Sequence, residues 1–209
     1  MLGRGFDPAL LLYLGLALIV AATVHEYAHA YVADRLGDPT PRHQGRLTLN
    51  PLAHLDPLGT LLILLAGFGW AKPVQINPAN FHDWRRDSIV VAAAGPLANV
   101  TLLFALGVPY KLGLLDTVPF GTSAVSRLLL ITMQINAMLA VFNLIPIPPL
   151  DGSKILMGLL PPAQAVSYAR LQPYGVLLLL LLVMTRTLGP VIGGPMRWLI
   201  AQATGTGFF

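Results

Sequence analysis

His25-Glu26-Tyr27-Ala28-His29 sets two imidazoles four residues apart, with a carboxylate beside the first. On a helix, at about 100° per residue, two such histidines differ by roughly 40° around the axis and lie about one turn apart along it. Both can therefore reach one metal ion, and Glu26 stands where a general base on metal-activated water belongs. A catalytic zinc site takes three protein ligands and keeps a position open. The pentapeptide supplies two, so a third must come from elsewhere. Asp151 is the best candidate. It follows an apolar run, comes after Pro146, Pro148 and Pro149, which force the backbone out of helix, and precedes Gly152. By itself, Asp151-Gly152 reads as an ordinary turn at a membrane edge.

The elements that must position these groups are apolar. Of 209 residues, 55% are hydrophobic and 11% charged, where a soluble domain carries about a quarter. Ser88 to Tyr110 and Leu128 to Leu150 are each 23 residues without a charge, and a membrane helix needs about 20. The chain therefore reads as an all-α polytopic membrane protein forming a single domain over 1–209. Two histidines and a glutamate at the inner end of an apolar helix are expensive unless they serve chemistry. The alternative is a charge snorkelling to the interface, but Glu26 has no cation near it in sequence. The net charge of +4 suits basic loops on one side of a membrane, and no basic stripe invites nucleic acid. There are no cysteines, which excludes disulfides and thiolate ligands. Arg4, the apolar stretch 8–24 and Ala28-His29-Ala30 imitate a signal peptide, but cleavage there would destroy the metal motif. The first segment is read as a retained helix.

That helix is expected from about Asp7 to Leu36, stopped by Gly37-Asp38-Pro39. Residues 46–50 and 73–77 alternate polar and apolar and suggest short membrane-associated strands. Pro57 to Ala71 is apolar but only 15 residues long, which suits a re-entrant segment. Full spans follow at 88–110 and about 124–144, with Gly95-Pro96-Leu97-Ala98-Asn99 offering small residues for close packing and Asn99 as a polar contact. A short helix is expected at 153–160 and an additional C-terminal helix at about 174–200, interrupted by Arg186, Gly189-Pro190 and Gly193-Gly194-Pro195. Six basic side chains lie in 32–87 and one in 111–123, which places the first loop in the cytoplasm and the N-terminus outside.

His25-Glu26-Tyr27-Ala28-His29, Gly95-Pro96-Leu97-Ala98-Asn99 and Asn143-Leu144-Ile145-Pro146-Ile147-Pro148-Pro149-Leu150-Asp151-Gly152 together resemble the site-2 protease family of intramembrane metalloproteases. The resemblance covers most of 8–160 and is to the compact form, without PDZ or CBS modules. It implies a three-helix core, one Zn2+ per chain held by His25, His29 and Asp151, and Glu26 as the base. It also implies that Asn143 holds the substrate backbone. Val74, Gln75 and Ile76 are expected to present an extended substrate by strand addition. His54 could approach the site as an accessory or serve as a loop histidine capping the next helix with Asp56, and His43 and His82 read as loop residues. The expected activity is zinc-dependent hydrolysis of peptide bonds in or near transmembrane segments of membrane-protein substrates. The expected location is the lipid bilayer of a prokaryotic cell membrane, with the site nearer the cytoplasm. The alternative is a polytopic zinc-binding or transport protein without proteolytic activity.

Overall fold

The computed structural model describes residues 7–56, 59, 71–114 and 123–205. Helix α1 spans Pro8–Arg35; Asp7 accepts from the N–H groups of Ala9 and Leu10, and Pro8 suits the first turn. It ends where Gly37 takes a φ of 104°, a conformation that favours glycine. Helix α2 spans Trp84–Lys111, capped by Asp83 on the N–H groups of Arg85 and Arg86. Helix α3 spans Ala124–Asn143 and begins with a reciprocal cap between Ser123 and Ser126. Helix α4 spans Asp151–Leu159. Helices α5 (Pro162–Ala169), α6 (Gly175–Met184) and α7 (Leu188–Thr204) complete the described chain.

Helices α1, α2 and α3 pack against one another, and α4 lies against α2. The contact faces are lined by small side chains. Ala17, Ala21, Ala30 and Ala33 of α1 and Ala137 and Ala140 of α3 are buried. In a bilayer there is no hydrophobic drive between helices, so close packing of this kind has to hold them. Leu103, Met133 and Ile200, all fully buried, form a second centre between α2, α3 and α7. Four helical stretches among the described residues are long and apolar enough to cross a membrane: Pro8–Arg35, Trp84–Lys111, Ala124–Asn143 and Pro162–Met184. The protein is a multi-pass integral membrane protein.

Two expectations need correction. The helix expected at 174–200 is broken at Arg186, the first of its expected interruptions, but runs on as helix through Gly189-Pro190 and Gly193-Gly194-Pro195. Arg186 adopts a φ of 58°, outside the right-handed helical region, so α6 stops at Met184 and α7 starts anew at Leu188. The span-length apolar stretch is 162–184, and α7 instead packs on α2 and α3.

The expected strands at 46–50 and 73–77 are not part of a sheet among the described residues. Arg46 turns its guanidinium inward onto the Lys72 carbonyl at 3.2 Å, and Thr48 O accepts from His54. Residues 73–77 carry no ladder; the N–H groups of Val74 and Asn77 go to the side chains of Glu26 and Asp38. The expected re-entrant segment falls almost wholly outside the described residues. Its flanks are described: Leu55 and Ala71 form an antiparallel bridge, and Lys72 N–H donates to His54 O at 2.9 Å. The chain therefore leaves and returns at one place.

Candidate metal centre and active site

The pentapeptide begins ten residues before the end of α1, about 15 Å along its axis. His25 and His29 point the same way, and their Nε2 atoms are 3.0 Å apart. Asp151 arrives as the first residue of α4, which packs against α2. The turn before it is held by Ile147 N–H on Ile145 O and Leu150 N–H on Ile147 O. Gly152 is required there, since a side chain would run into the Leu144 carbonyl. Asp151 Oδ2 lies 3.1 Å from each Nε2. All three residues are buried. Among the described residues, these three form the group that could hold a metal ion.

The neighbours set the chemistry of the two rings. His29 Nδ1 faces Val91 O at 2.7 Å, a carbonyl that can only accept, so Nδ1 carries the proton. His25 Nδ1 faces Asn99 Oδ1 at 2.7 Å. Asn99 directs its amide hydrogens to Ala21 O and Asn136 Oδ1, so its oxygen accepts from His25. Two Nε2 lone pairs and a carboxylate oxygen then converge with no donor among them. A proton could satisfy one pair of these acceptors; a metal cation satisfies all three. Ligand atoms about 2.0–2.2 Å from tetrahedral zinc stand roughly 3.3 Å apart, so the observed spacings of 3.0–3.1 Å fit after a small expansion.

A cavity of about 570 Å3 opens beside the cluster. Glu26, Val74, Ile76, Asn143 and Lys154 line it together with the two histidines and Asp151. Its far wall reaches Trp84 and Arg85 at the start of α2. Glu26 Oε2 accepts from Val74 N–H at 3.0 Å. Asn143 donates to Leu139 O in its own helix at 3.0 Å. Gln75 does not line the cavity; its Oε1 accepts from Gln44. His54 is buried but lies outside the three-residue cluster, with Nε2 on Thr48 O at 2.8 Å.

Three partners of the site were not legible as such in the sequence. Asn99 was visible only as a polar residue in a small-residue stretch, and its bond to His25 crosses 74 residues. Lys154 donates to Asp151 Oδ1 at 3.1 Å, and its position three residues on from Asp151 was the available signal. Gly95 lies against the histidine pair; a β-carbon there would stand 2.6 Å from His25 Nε2 and also meet His29.

Comparison with known proteins bears on this geometry. The family described as Peptidase family M50 matches residues 113–185, which contain Asp151. A Bacillus subtilis protein named "Putative zinc metalloprotease YwhC" is 43% identical over 195 residues, covering 91% of this chain and 88% of its own length. Proteins named "Putative zinc metalloprotease Rip2" from Mycolicibacterium smegmatis and Mycobacterium tuberculosis are 33% and 31% identical, over 84% and 87% of this chain and 70% of each relative. No solved structure matches the chain.

Proposed function

The chain belongs to peptidase family M50 and is a zinc metalloprotease, and we propose that it hydrolyses peptide bonds in or near the transmembrane segments of membrane proteins. In this reading His25, His29 and Asp151 hold one zinc ion and Glu26 is the general base. The observation that carries it is the convergence of His25 Nε2, His29 Nε2 and Asp151 Oδ2 within 3.1 Å, with both Nδ1 protons turned away. When bound, zinc supplies Lewis-acid activation of water and of the scissile carbonyl.

The protein's own groups do the rest. Glu26 lines the same cavity as the cluster and takes the proton from the attacking water at a carboxylate oxygen. It then has that proton to deliver to the leaving amine. Asn143 at the cavity wall engages the substrate backbone. Residues 74–76 belong to no helix or sheet among the described residues, with Val74 and Ile76 at the cavity, and in this reading they receive an unwound substrate by main-chain pairing. A helical substrate must unwind first, because its carbonyls are engaged within the helix.

The place of the cluster supports action within the bilayer, since His25 and His29 follow directly on the apolar run 8–24 within the membrane-length helix α1. The cavity reaches toward Trp84 and Arg85, on the side of the basic first loop, which supports water entry from the cytoplasm. The bacterial relatives support a prokaryotic cell membrane as its location.

Cleavage of a model transmembrane substrate by reconstituted wild type and Glu26→Gln tests the reading. The variant should keep its zinc and lose activity by at least about 10²–10⁴-fold, the usual worth of a general base. Full activity in Glu26→Gln, or a zinc-loaded wild type that cleaves nothing, would leave a zinc-binding or transport role as the better reading.

A further inference from the structure

The polar groups behind His25 continue well past the metal cluster. Asn136 of α3 and Asn99 of α2 are both fully buried. Asn136 Nδ2 donates to Thr132 O at 2.8 Å. A carbonyl oxygen can only accept, so this bond fixes which end of the Asn136 amide is which. Its Oδ1 then faces Asn99 and accepts from Asn99 Nδ2 at 2.9 Å. Asn99 Nδ2 gives its other hydrogen to Ala21 O at 3.0 Å. Both Asn99 hydrogens are engaged, and its Oδ1 is left to accept from His25 Nδ1 at 2.7 Å.

We propose that Asn136 is a positioning residue of the metal centre, which acts through Asn99 to hold His25 in the Nδ1–H tautomer with Nε2 free for zinc. The inference rests on His25 being a zinc ligand. Asn136 does not line the cavity and makes no bond to His25. It works by denying Asn99 its flipped orientation. A flipped Asn99 would oppose its N–H groups to His25 Nδ1–H and its oxygen to two other oxygens. Buried polar networks of this kind are stable only when every member is satisfied. A ligating histidine whose second nitrogen loses its partner binds metal more weakly. Simple adhesion between α2 and α3 would not need the amide order to run in one direction as far as His25.

The test uses the full chain in detergent, stripped of metal and titrated with zinc against a chelator. Asn99→Leu should weaken zinc binding by about 10–100-fold, as loss of an outer-shell partner does. Asn136→Leu and Asn136→Ser should each weaken it by roughly 3–10-fold, less than losing the direct partner. The Asn99→Leu/Asn136→Leu pair should be no weaker than Asn99→Leu alone, since both act on one path. The 15N spectrum of labelled histidine should show His25 as the Nδ1–H tautomer in the metal-free wild type and as a mixture in the Asn136 variants.

Unchanged zinc affinity in both Asn136 variants, or losses that add in the double variant, would overturn the inference. A wild-type His25 found as the Nε2–H tautomer would overturn it without any variant. His25→Ala is the control. If it loses zinc while the Asn136 variants do not, only the inference fails. If it keeps full affinity, the proposed ligand set fails and the inference with it.

Discussion

The backbone N–H of Val74 donates to Glu26 Oε2 at 3.0 Å, joining the segment after the 57–70 stretch to the carboxylate of the metal motif. The two residues are 48 positions apart. Three other anchors hold the same segment: Arg46 on Lys72 O at 3.2 Å, Gln44 on Gln75 Oε1 at 2.9 Å and Asp38 on Asn77 N–H at 2.7 Å. The segment is thereby drawn over the cavity, next to the proposed base.

That placement makes the substrate role of 74–76 testable. Strand addition uses main-chain groups, and proline removes a donor. Gln75→Pro should cut cleavage by at least tenfold while Gln75→Ala changes it less than about twofold, with zinc content equal in both. Equal activities in two folded, zinc-loaded variants would remove this segment as the clamp and leave Asn143 as the backbone contact.

Gly95→Ala probes the histidine pair. The added β-carbon would stand 2.6 Å from His25 Nε2, so a ring or the helix must move. Overpacking of this kind costs about 1–3 kcal/mol. Zinc affinity should fall by roughly tenfold or more while α2 stays helical, as read by chelator competition and circular dichroism. Wild-type affinity would show that the rings have room to shift.

Asp38 should make the loop over the cavity sensitive to acid. Burial by itself would raise its carboxyl, but bonds from Thr40 Oγ1, Asn77 N–H, Asn80 Nδ2 and Thr40 N–H outweigh it and hold the group below the usual aspartate range. The folded value is depressed. Its contribution to stability is therefore full above the unfolded value of about 3.9 and is lost as pH falls through the folded value. Asp38→Asn should be less stable than wild type at neutral pH, and the gap should close below about pH 4. Thermal unfolding across a pH series measures this; a gap independent of pH would remove the Asp38 charge as the cause.

The topology follows from contacts and charge together. Gln44 bonds Gln75, and Asp38 bonds Asn80, so the two sides of the 57–70 stretch meet at one end of α1. Single cysteines at the exposed Gln44 and Ala79 should be labelled from the same face, the cytoplasmic one by the count of six basic residues in 32–87. Labelling of the two from opposite faces would mean that 57–70 crosses the membrane and that the proposed orientation is wrong.

What the sequence determined by itself was whatever depends on local spacing. Charge-free runs of 23 residues marked two spans, because span length is set by bilayer thickness. The spacing of His25 and His29 put both rings on one helix face, because that is a property of 3.6 residues per turn. The prolines before Asp151 marked where helix α3 must stop. The tertiary structure decided everything that depends on one helix meeting another. It brought Asp151 to 3.1 Å from both histidines across more than 120 residues of chain. It turned Asn99 onto His25, set Gly95 under the rings and took the expected strand donor of Val74 for Glu26. It also decided among the interruptions offered by the last apolar stretch, breaking it at Arg186 and carrying a helix through Gly189-Pro190 and Gly193-Gly194-Pro195. A hydrogen bond is satisfied by whichever partner packing delivers, and periodicity along one helix carries no information about its neighbour's rotation or depth.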